Sequence, residues 1–348
     1  MSRESRNTGL DLMRLVCMIM VVSLHYFGEG GINSCDSVPF INRVIATSMV
    51  VICRGAVNCF YMNSGYFITE DINVAHSWQR TFKLYGQIWF YSVIVFIVSL
   101  VFGISEWSTV SAIRALLPIM GNQWWFITVF LLLSFLRPLI GKTITKLSNK
   151  ELAFVIAVFL YFDAIQSVFG VNVFNEMGNG LLHGVTMLLL GYGVQKITKL
   201  QLSKKNAILV YIASVFVTIS IHFLLKSYPL IPVDYWKQIM IYNSPLMICL
   251  ALGLFCYFRT LKIDSSNISK IASSALAIYL IQDHSMMREA LWLRVMKCDW
   301  FYESKFMVVH FLSSVILISV VGILMDKLRI CLVKQIAGKY IKVRKDEC

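Results

Sequence analysis

Apolar runs long enough to cross a bilayer recur along the whole chain, and short polar segments separate them. A transmembrane helix needs about 20 mainly apolar residues, and ten segments approach this length. They lie near 10–27, 42–68, 84–103, 123–140, 151–169, 179–195, 206–225, 238–258, 270–286 and 306–326. The pattern predicts an all-α, polytopic integral membrane protein with about ten transmembrane helices, which form a single domain over residues 1–348.

The lysines and arginines are distributed unevenly between the polar segments. One alternating set holds 22 of the 32 basic residues; it comprises residues 1–14, 69–83, 141–151, 196–205, 259–270 and 327–345. Basic loops face the cytoplasm, so both termini are predicted to be cytoplasmic, with residues 330–348 as a basic tail. An uncleaved first span is favoured over a signal peptide, because no small-x-small cleavage site follows SLHYFGEGG.

The composition agrees with this interpretation. The chain is 57% hydrophobic and only 15% charged, and its mean hydropathy is +0.69. Soluble proteins are usually about a quarter charged, so no sizeable soluble domain is expected. Membrane topology explains the net charge of +13 better than nucleic-acid binding does. The nine cysteines lack metal-site spacing, so we expect no metal; the bilayer is the expected partner, and a homo-oligomer remains open.

The first apolar run carries three polar residues at helical spacing. Arg14 and His25 are eleven residues apart, almost three full turns, so they share a face and lie roughly 16 Å apart along the axis. Asp11 lies about one turn before Arg14 on nearly the same face. Two structural explanations stay open: Arg14 can be a positive-inside anchor, and His25 can lie in the outer headgroup zone. All three form one polar stripe that runs from the cytoplasmic edge into the bilayer, and it is a candidate functional site because ionisable residues in a membrane usually have a function.

The second apolar run, CRGAVNCFYMNSGYFIT, is unusually polar. Arg54 lies inside it, Asn58 follows one turn later on the same face, and Ser64 precedes a glycine near its end. The Ser-Gly pair can serve close helix packing or leave room for a ligand. Taken together, the polar residues of this span indicate a polar cavity.

Four stretches resemble the signatures of one known family. LDLMRLVCMIMVVSLH, RGAVNCFYMNSGYF, WWFITVFLLLSFLRPLI and ALAIYLIQDHSMMREALW resemble, in order and spacing, those of the integral-membrane acyltransferase 3 family. The first includes the family's arginine and histidine separated by ten residues. One departure concerns the last signature, since the family commonly places a histidine directly after Tyr-Leu-Ile. Here that position is Gln282, and His284 lies two residues further on.

The resemblance implies an enzyme that moves an acyl group, usually acetyl from acetyl-CoA, to a hydroxyl of a cell-surface sugar. Family members closest to the C-terminal pattern look like bacterial polysaccharide or exopolysaccharide O-acetyltransferases, which implies a multi-pass protein of the bacterial plasma membrane. The signatures make Trp124, Trp125, Tyr279 and His284 candidate donor- or substrate-binding residues. For Trp124 and Trp125 a place in the interfacial aromatic belt is the simpler interpretation.

Acyl transfer assigns roles to the polar residues. It needs a base or a nucleophile and donors to the developing oxyanion, and His25 suits the first role as base or as acyl carrier. Arg14 is suited to the phosphates of coenzyme A, since three helical turns approximately match the pantetheine arm between phosphates and thioester. Arg80 and Lys83 are further candidates for phosphate contacts, and Arg54 for the donor or the oxyanion.

Two other classes of protein remain open. A transporter or flippase would also carry intramembrane Arg, His and Asp residues, but its usual repeat symmetry is not evident in the sequence. A membrane sensor or structural subunit is the third class, and it would give the polar stripe no purpose.

Overall fold

The computed structural model describes residues 7–32, 35, 37–171, 176–227 and 237–346, and none of these residues lies in a β-strand. The predicted all-α class is therefore confirmed for the described chain. Its first half contains helices α1 (Thr8–Gly28), α2 (Phe40–Arg54), α3 (Ala56–Tyr66), α4 (Val74–Val101), α5 (Thr109–Leu116), α6 (Trp125–Ile144) and α7 (Asn149–Leu160). A π-helical turn, Tyr161–Ile165, joins α7 to α8 (Gln166–Val168).

The second half contains helices of more varied length. They are α9 (Leu181–Lys196), α10 (Lys204–Ser227), α11 (Pro245–Arg259), α12 (Ser266–Ala272), α13 (Ala275–Gln282), α14 (Cys298–Phe301) and α15 (Met307–Asp346), with 3₁₀ turns at Glu176–Gly178 and Thr198–Leu200 and a π-helical segment at Ala290–Val295. Helix α15 continues well into the predicted basic tail, so the last apolar span of 306–326 does not mark the end of its helix.

Helix α1 lies at the centre of the bundle. The Asn7 side chain caps its N-terminus by accepting the Leu10 N–H at 3.2 Å, which satisfies a backbone donor that the helix cannot pair internally. The helix packs against α2, α3, α11, α12, α13 and α15, and most of its residues are buried. The residues of α1 therefore have fixed neighbours on almost every side.

Two predicted spans are not continuous helices in the structure: one helix begins late, and the other is interrupted. Within 238–258, residues 239–244 form turns, and α11 begins only at Pro245, since proline suits the first helical turn, where no backbone N–H is needed. Within 270–286, the helix is interrupted at residues 273–274, between α12 and α13. The apolar pattern alone does not register these interruptions.

Helices α3 and α9 make the closest backbone contact of this region through glycines. A Cβ on Gly65 would overlap the carbonyl group of Leu188, and one on Gly191 would overlap that of Met62. Small residues permit such close approach in membrane proteins. This contact supports the packing explanation of the Ser-Gly pair at 64–65.

Seven helical segments of the described chain are long and apolar enough to cross a membrane: Thr8–Gly28, Phe40–Tyr66, Val74–Val101, Trp125–Ile144, Asn149–Val168, Lys204–Ser227 and Met307–Gln335. The other three predicted spans correspond to α9, to α11 and to the α12–α13 pair, which are shorter. The count of ten and the cytoplasmic termini stay predictions.

We expect Gly191→Ala to lower the melting temperature of the detergent-purified protein, because the new methyl group forces α3 and α9 apart. Overpacking of this kind costs about 1–3 kcal/mol. Gly86→Ala is the matched control, since a Cβ on this α4 glycine meets no atom within 4 Å and alanine favours helix. Equal melting temperatures for both variants would contradict the close-packing argument.

The topology is tested at Lys204, which is exposed at the start of α10. The charge distribution predicts that this end of α10 faces the cytoplasm. A fluorescent-protein fusion truncated at Lys204 should therefore fluoresce, and an alkaline-phosphatase fusion at the same residue should be inactive. The reverse pattern would show that the predicted orientation is wrong.

Candidate functional site

His25 lies in the last turn of α1 and faces the C-terminal end of α13. Its Nδ1 atom is 3.0 Å from Oε1 and 2.8 Å from Nε2 of Gln282. Either the ring N–H donates to the amide oxygen or the amide N–H donates to the ring nitrogen, according to the tautomer. Gln282 thus occupies the position where the family signature has a histidine, and it touches the catalytic candidate directly.

Asp283 forms a second contact behind the same ring nitrogen. Its Oδ1 atom lies 3.9 Å from His25 Nδ1 and 3.4 Å from Nη1 of Arg288. The same guanidinium nitrogen is 3.3 Å from Oε1 of Glu29. A carboxylate on the Nδ1 side of a histidine can orient the ring and stabilise its protonated form, and Arg288 holds this carboxylate in place.

The remaining surroundings of His25 form a small cavity with mainly aromatic walls. Its lining residues are Met18, Val21, Leu24, His25, Val57, Phe60, Trp125, Phe126, Tyr242 and Tyr279. The ring centres of His25 and Tyr279 lie 6.0 Å apart. The cavity therefore combines the imidazole of His25 with two tyrosines, Tyr242 and Tyr279, in otherwise apolar surroundings.

Arg14 and His25 are connected by one face of α1. Met18 and Val21, which line the cavity, lie between them at spacings of four, three and four residues, the pattern of a single helix face. The Arg14 side chain is 36% exposed, and its Nη1 lies 3.4 Å from Oδ1 of Asp11. Arg14 is thus accessible at the opposite end of α1 from His25.

Asp11 joins α1 to α12. Its Oδ2 atom accepts a hydrogen bond of 2.6 Å from the Ser269 hydroxyl, and its other carboxylate oxygen faces Arg14. Fourteen residues of α-helix place it roughly 21 Å from His25 along the axis. These contacts favour a positioning role towards Arg14 over a direct part in chemistry at His25.

Arg54 and Asn58 hold the backbone of the non-helical segment 239–244. The Nε atom of Arg54 donates to the Met240 carbonyl at 2.8 Å, and its guanidinium lies 4.3 Å from the centre of the Tyr242 ring. The Nδ2 atom of Asn58 donates to the Tyr242 carbonyl at 2.9 Å. Both residues were predicted to contact a ligand. In the structure, each of them donates a hydrogen bond to a backbone carbonyl of this segment.

Asn58 belongs to a fully buried polar chain. Its Oδ1 atom lies 2.8 Å from Nε2 of His183, whose Nδ1 is 2.7 Å from Oδ2 of Asp163. Both groups of the Asn58 amide are therefore engaged. This network joins α3, α9 and the π-helical turn Tyr161–Ile165.

The other predicted site residues differ in how far they are exposed. The Ser64 hydroxyl donates to the Phe60 carbonyl at 3.2 Å within its own helix, and Arg80 and Lys83 are exposed on α4. Trp124 is buried and packs edge-on against His284 at 5.3 Å, so the interfacial-belt interpretation fails for it. Trp125 lines the His25 cavity and lies 5.6 Å from Tyr242.

The sequence analysis missed the residues that surround His25. Asp283 and Arg288 stand five residues apart in QDHSMMREA, and Glu29 follows the first apolar run directly. A carboxylate next to the altered signature position was a usable signal, whereas Tyr242 gave none. Among the described residues, no group of three or more His, Cys, Asp or Glu is arranged to hold a metal ion.

Comparison with known proteins shows what the chain is related to. The model of the acyltransferase 3 family, described as an acyltransferase domain, matches residues 7–325. An amino-acid racemase of Enterococcus faecalis is 33% identical over 99 residues, which amount to 27% of this chain and only 13% of the racemase. No solved structure matches the chain. Because the family match covers nearly the whole sequence, the chain belongs to the acyltransferase 3 family.

Proposed function

We propose that this membrane acyltransferase transfers an acetyl group from cytoplasmic acetyl-CoA to a hydroxyl of a cell-surface sugar or polysaccharide, in a bacterial plasma membrane. The observation that carries the proposal is the setting of His25. Its Nδ1 faces Gln282 and Asp283, while its ring lines the aromatic cavity. A histidine held in this way has one nitrogen for orientation and the other, Nε2, for chemistry.

As a general base, His25 takes the proton of the acceptor hydroxyl on Nε2 while the hydroxyl oxygen attacks the thioester carbonyl. The tetrahedral intermediate then expels the coenzyme A thiolate, which receives the proton from the imidazolium. Asp283, 3.9 Å from Nδ1, stabilises the imidazolium between the two steps. The Tyr279 hydroxyl is the candidate donor to the oxyanion.

The second route uses His25 as an acyl carrier. Nε2 attacks the thioester carbonyl and expels the coenzyme A thiolate; the acceptor hydroxyl then takes the acetyl group from the acyl-imidazolium, its proton passes to the freed Nε2, and the imidazolium returns this proton to the thiolate. Both routes require Nε2 to reach the cavity and Nδ1 to stay against α13, so the same contacts support each of them. The routes differ in whether labelled acetyl is found on the protein when no acceptor is present.

In this proposal, donor binding begins at Arg14, whose side chain is partly exposed. Arg14 is placed to bind phosphates of coenzyme A at the predicted cytoplasmic end, with Asp11 holding its guanidinium from one side. Met18 and Val21, both buried, lie on the same helix face between Arg14 and His25, and we propose that the pantetheine arm follows this face when coenzyme A binds. Arg80 and Lys83, exposed on α4, are additional phosphate contacts in this proposal.

We expect His25→Ala to reduce acetyl transfer by about 10²–10⁴, the usual loss when a general base is removed. His25→Gln should fail as well, because glutamine forms hydrogen bonds but does not accept a proton near neutral pH. The measurement is transfer of labelled acetyl from acetyl-CoA to membrane-associated glycan by the purified full-length protein.

The matched control for this measurement is His76→Ala. His76 is exposed at the start of α4, so its loss should change neither transfer nor expression. Acetyl-CoA binding should survive in His25→Ala, since the phosphates are held elsewhere. Near-normal turnover in His25→Ala would refute the mechanism, and absence of acetyl transfer in the wild-type protein would refute the proposed reaction.

We expect Arg14→Ala to weaken acetyl-CoA binding by about 10- to 100-fold, since a charge-assisted hydrogen bond contributes about 1.5–3 kcal/mol. Arg14→Lys should rescue binding only in part, because lysine keeps the charge but loses the bidentate fork. Lys146→Ala is the control, as it removes an exposed cation on the same predicted side. Unchanged donor affinity in folded Arg14→Ala would make Arg14 a topological anchor.

A further inference from the structure

The connection between α4 and α6 exposes a large amount of apolar surface. It comprises residues 102–124 and contains α5. Large apolar side chains that are more than half exposed begin at the end of α4 and continue through α5: Val101, Phe102, Trp107, Val110, Ile113 and Leu116. A contiguous apolar patch on a protein surface marks a contact with another molecule or with a membrane.

Helix α5 directs its apolar face away from the protein. Ala115 is its one buried residue, with 1% of its surface exposed, and α5 packs against α4. Val110, Ile113 and Leu116 recur every three residues, so they share a face, which at about 100° per residue lies almost opposite Ala115. On the surface of a soluble protein the apolar stripe of a helix faces the core; in α5 the order is reversed.

The side of α5 that faces the protein carries small residues. Ser111 and Ala112 are partly buried next to Ala115, and Ser108 caps the helix by accepting the Ser111 N–H at 3.1 Å. Arg114 is the single charged residue of α5, and it is exposed at the edge of the apolar face. An arginine in this place can keep its stem on apolar surface and its charge in water.

The position of α5 in the chain places it at the membrane boundary. The segments before and after it, Val74–Val101 and Trp125–Ile144, are both long and apolar enough to cross a membrane, so the connection between them stays on one side of the bilayer. Ile97 and Val101 are exposed on α4, and the apolar face of α5 continues this surface. Trp107, which precedes α5, is of a residue type enriched at the membrane–water interface.

A lipid surface suits this face better than a second copy of the chain does. Helix α5 has eight residues and is roughly 12 Å long. A stable protein–protein interface buries about 800 Å² on each partner, which is more than one face of so short a helix can supply. An interfacial helix requires only an apolar face with polar or small residues on its other side.

We infer that α5 is an interfacial helix that binds the lipid surface. Its axis lies in the headgroup region of the leaflet that the charge distribution makes the outer one, and Val110, Ile113 and Leu116 enter the boundary of the acyl chains. Arg114 extends from the edge of this face to water and headgroups. This surface is independent of the proposed reaction.

The lipid contact bears on the His25 site through the rest of the connection. A few residues after α5 the chain reaches Gln123 and Trp124, which are both buried. The Ser285 hydroxyl donates to the Gln123 amide oxygen, and Trp124 packs edge-on against His284. The anchored helix is thus joined by a short turn to the contacts that hold the segment after α13.

The test measures the surroundings of a nitroxide spin label attached to Ile113→Cys in the full-length protein in lipid nanodiscs. Power-saturation EPR compares collisions with oxygen, which concentrates in lipid, and with a water-soluble nickel chelate. The ratio of oxygen to nickel collisions should be severalfold higher than for a label at Glu106→Cys. This control is an exposed, charged residue of the same connection.

The label is confined to the chosen residue by replacing other cysteines with serine. Those replaced are the accessible cysteines of the described chain and the terminal one: Cys35, Cys249, Cys331 and Cys348. Leu116→Cys supplies a second labelling position on the same exposed face, and it should give the same high ratio as residue 113.

Two results would overturn the inference. Ratios at residues 113 and 116 equal to that at residue 106 would show that this face of α5 meets water. Dipolar broadening of the label at residue 113 that disappears on dilution with unlabelled protein would show that a second copy covers the face instead of lipid.

Discussion

The arrangement of the His25 cavity depends on how the non-helical segment 239–244 is held inside a bundle of apolar helices. Backbone groups in such surroundings are costly when they lack hydrogen-bond partners. Arg54 and Asn58 supply donors to the carbonyls of Met240 and Tyr242. The segment in turn places Tyr242 against the His25 cavity. One short non-helical segment thus contributes a wall to the candidate site.

The support for this segment extends into the buried core. Asn58 contacts His183, and His183 contacts Asp163, so a change at either residue would reach the Tyr242 carbonyl through the Asn58 amide. The Nδ2 atom of Asn243 donates to the Asp163 carbonyl at 2.7 Å, which ties the same segment to the same region. The Asn58 amide and both ring nitrogens of His183 have partners in this chain, which explains why a polar second span is compatible with a well-packed interior.

The sequence predicted the features that repeat and missed those that depend on tertiary contact. Apolar runs and basic loops repeat over the chain, so they predicted helices and an orientation, and the spacing of Arg14 and His25 predicted their shared face. The turns at 239–244 interrupt an apolar run whose signs of interruption are confined to Asn243, Ser244 and Pro245. Glu29, Asp283 and Arg288 meet because α1 and α13 are neighbours, and no local pattern encodes that.

The substitution of Gln282 for the family's histidine bears on how His25 would react. A glutamine amide can face Nδ1 with either its oxygen or its nitrogen, so by itself it leaves the tautomer of the ring undetermined. When the proton is on Nδ1, the amide presents its oxygen to that proton, and Oδ1 of Asp283 lies 3.9 Å from the same nitrogen. Nε2 keeps its lone pair in this tautomer, as both the base and the acyl-carrier routes require. Gln282 and Asp283 are thus the residues that face Nδ1 at the place where the family signature commonly has a histidine.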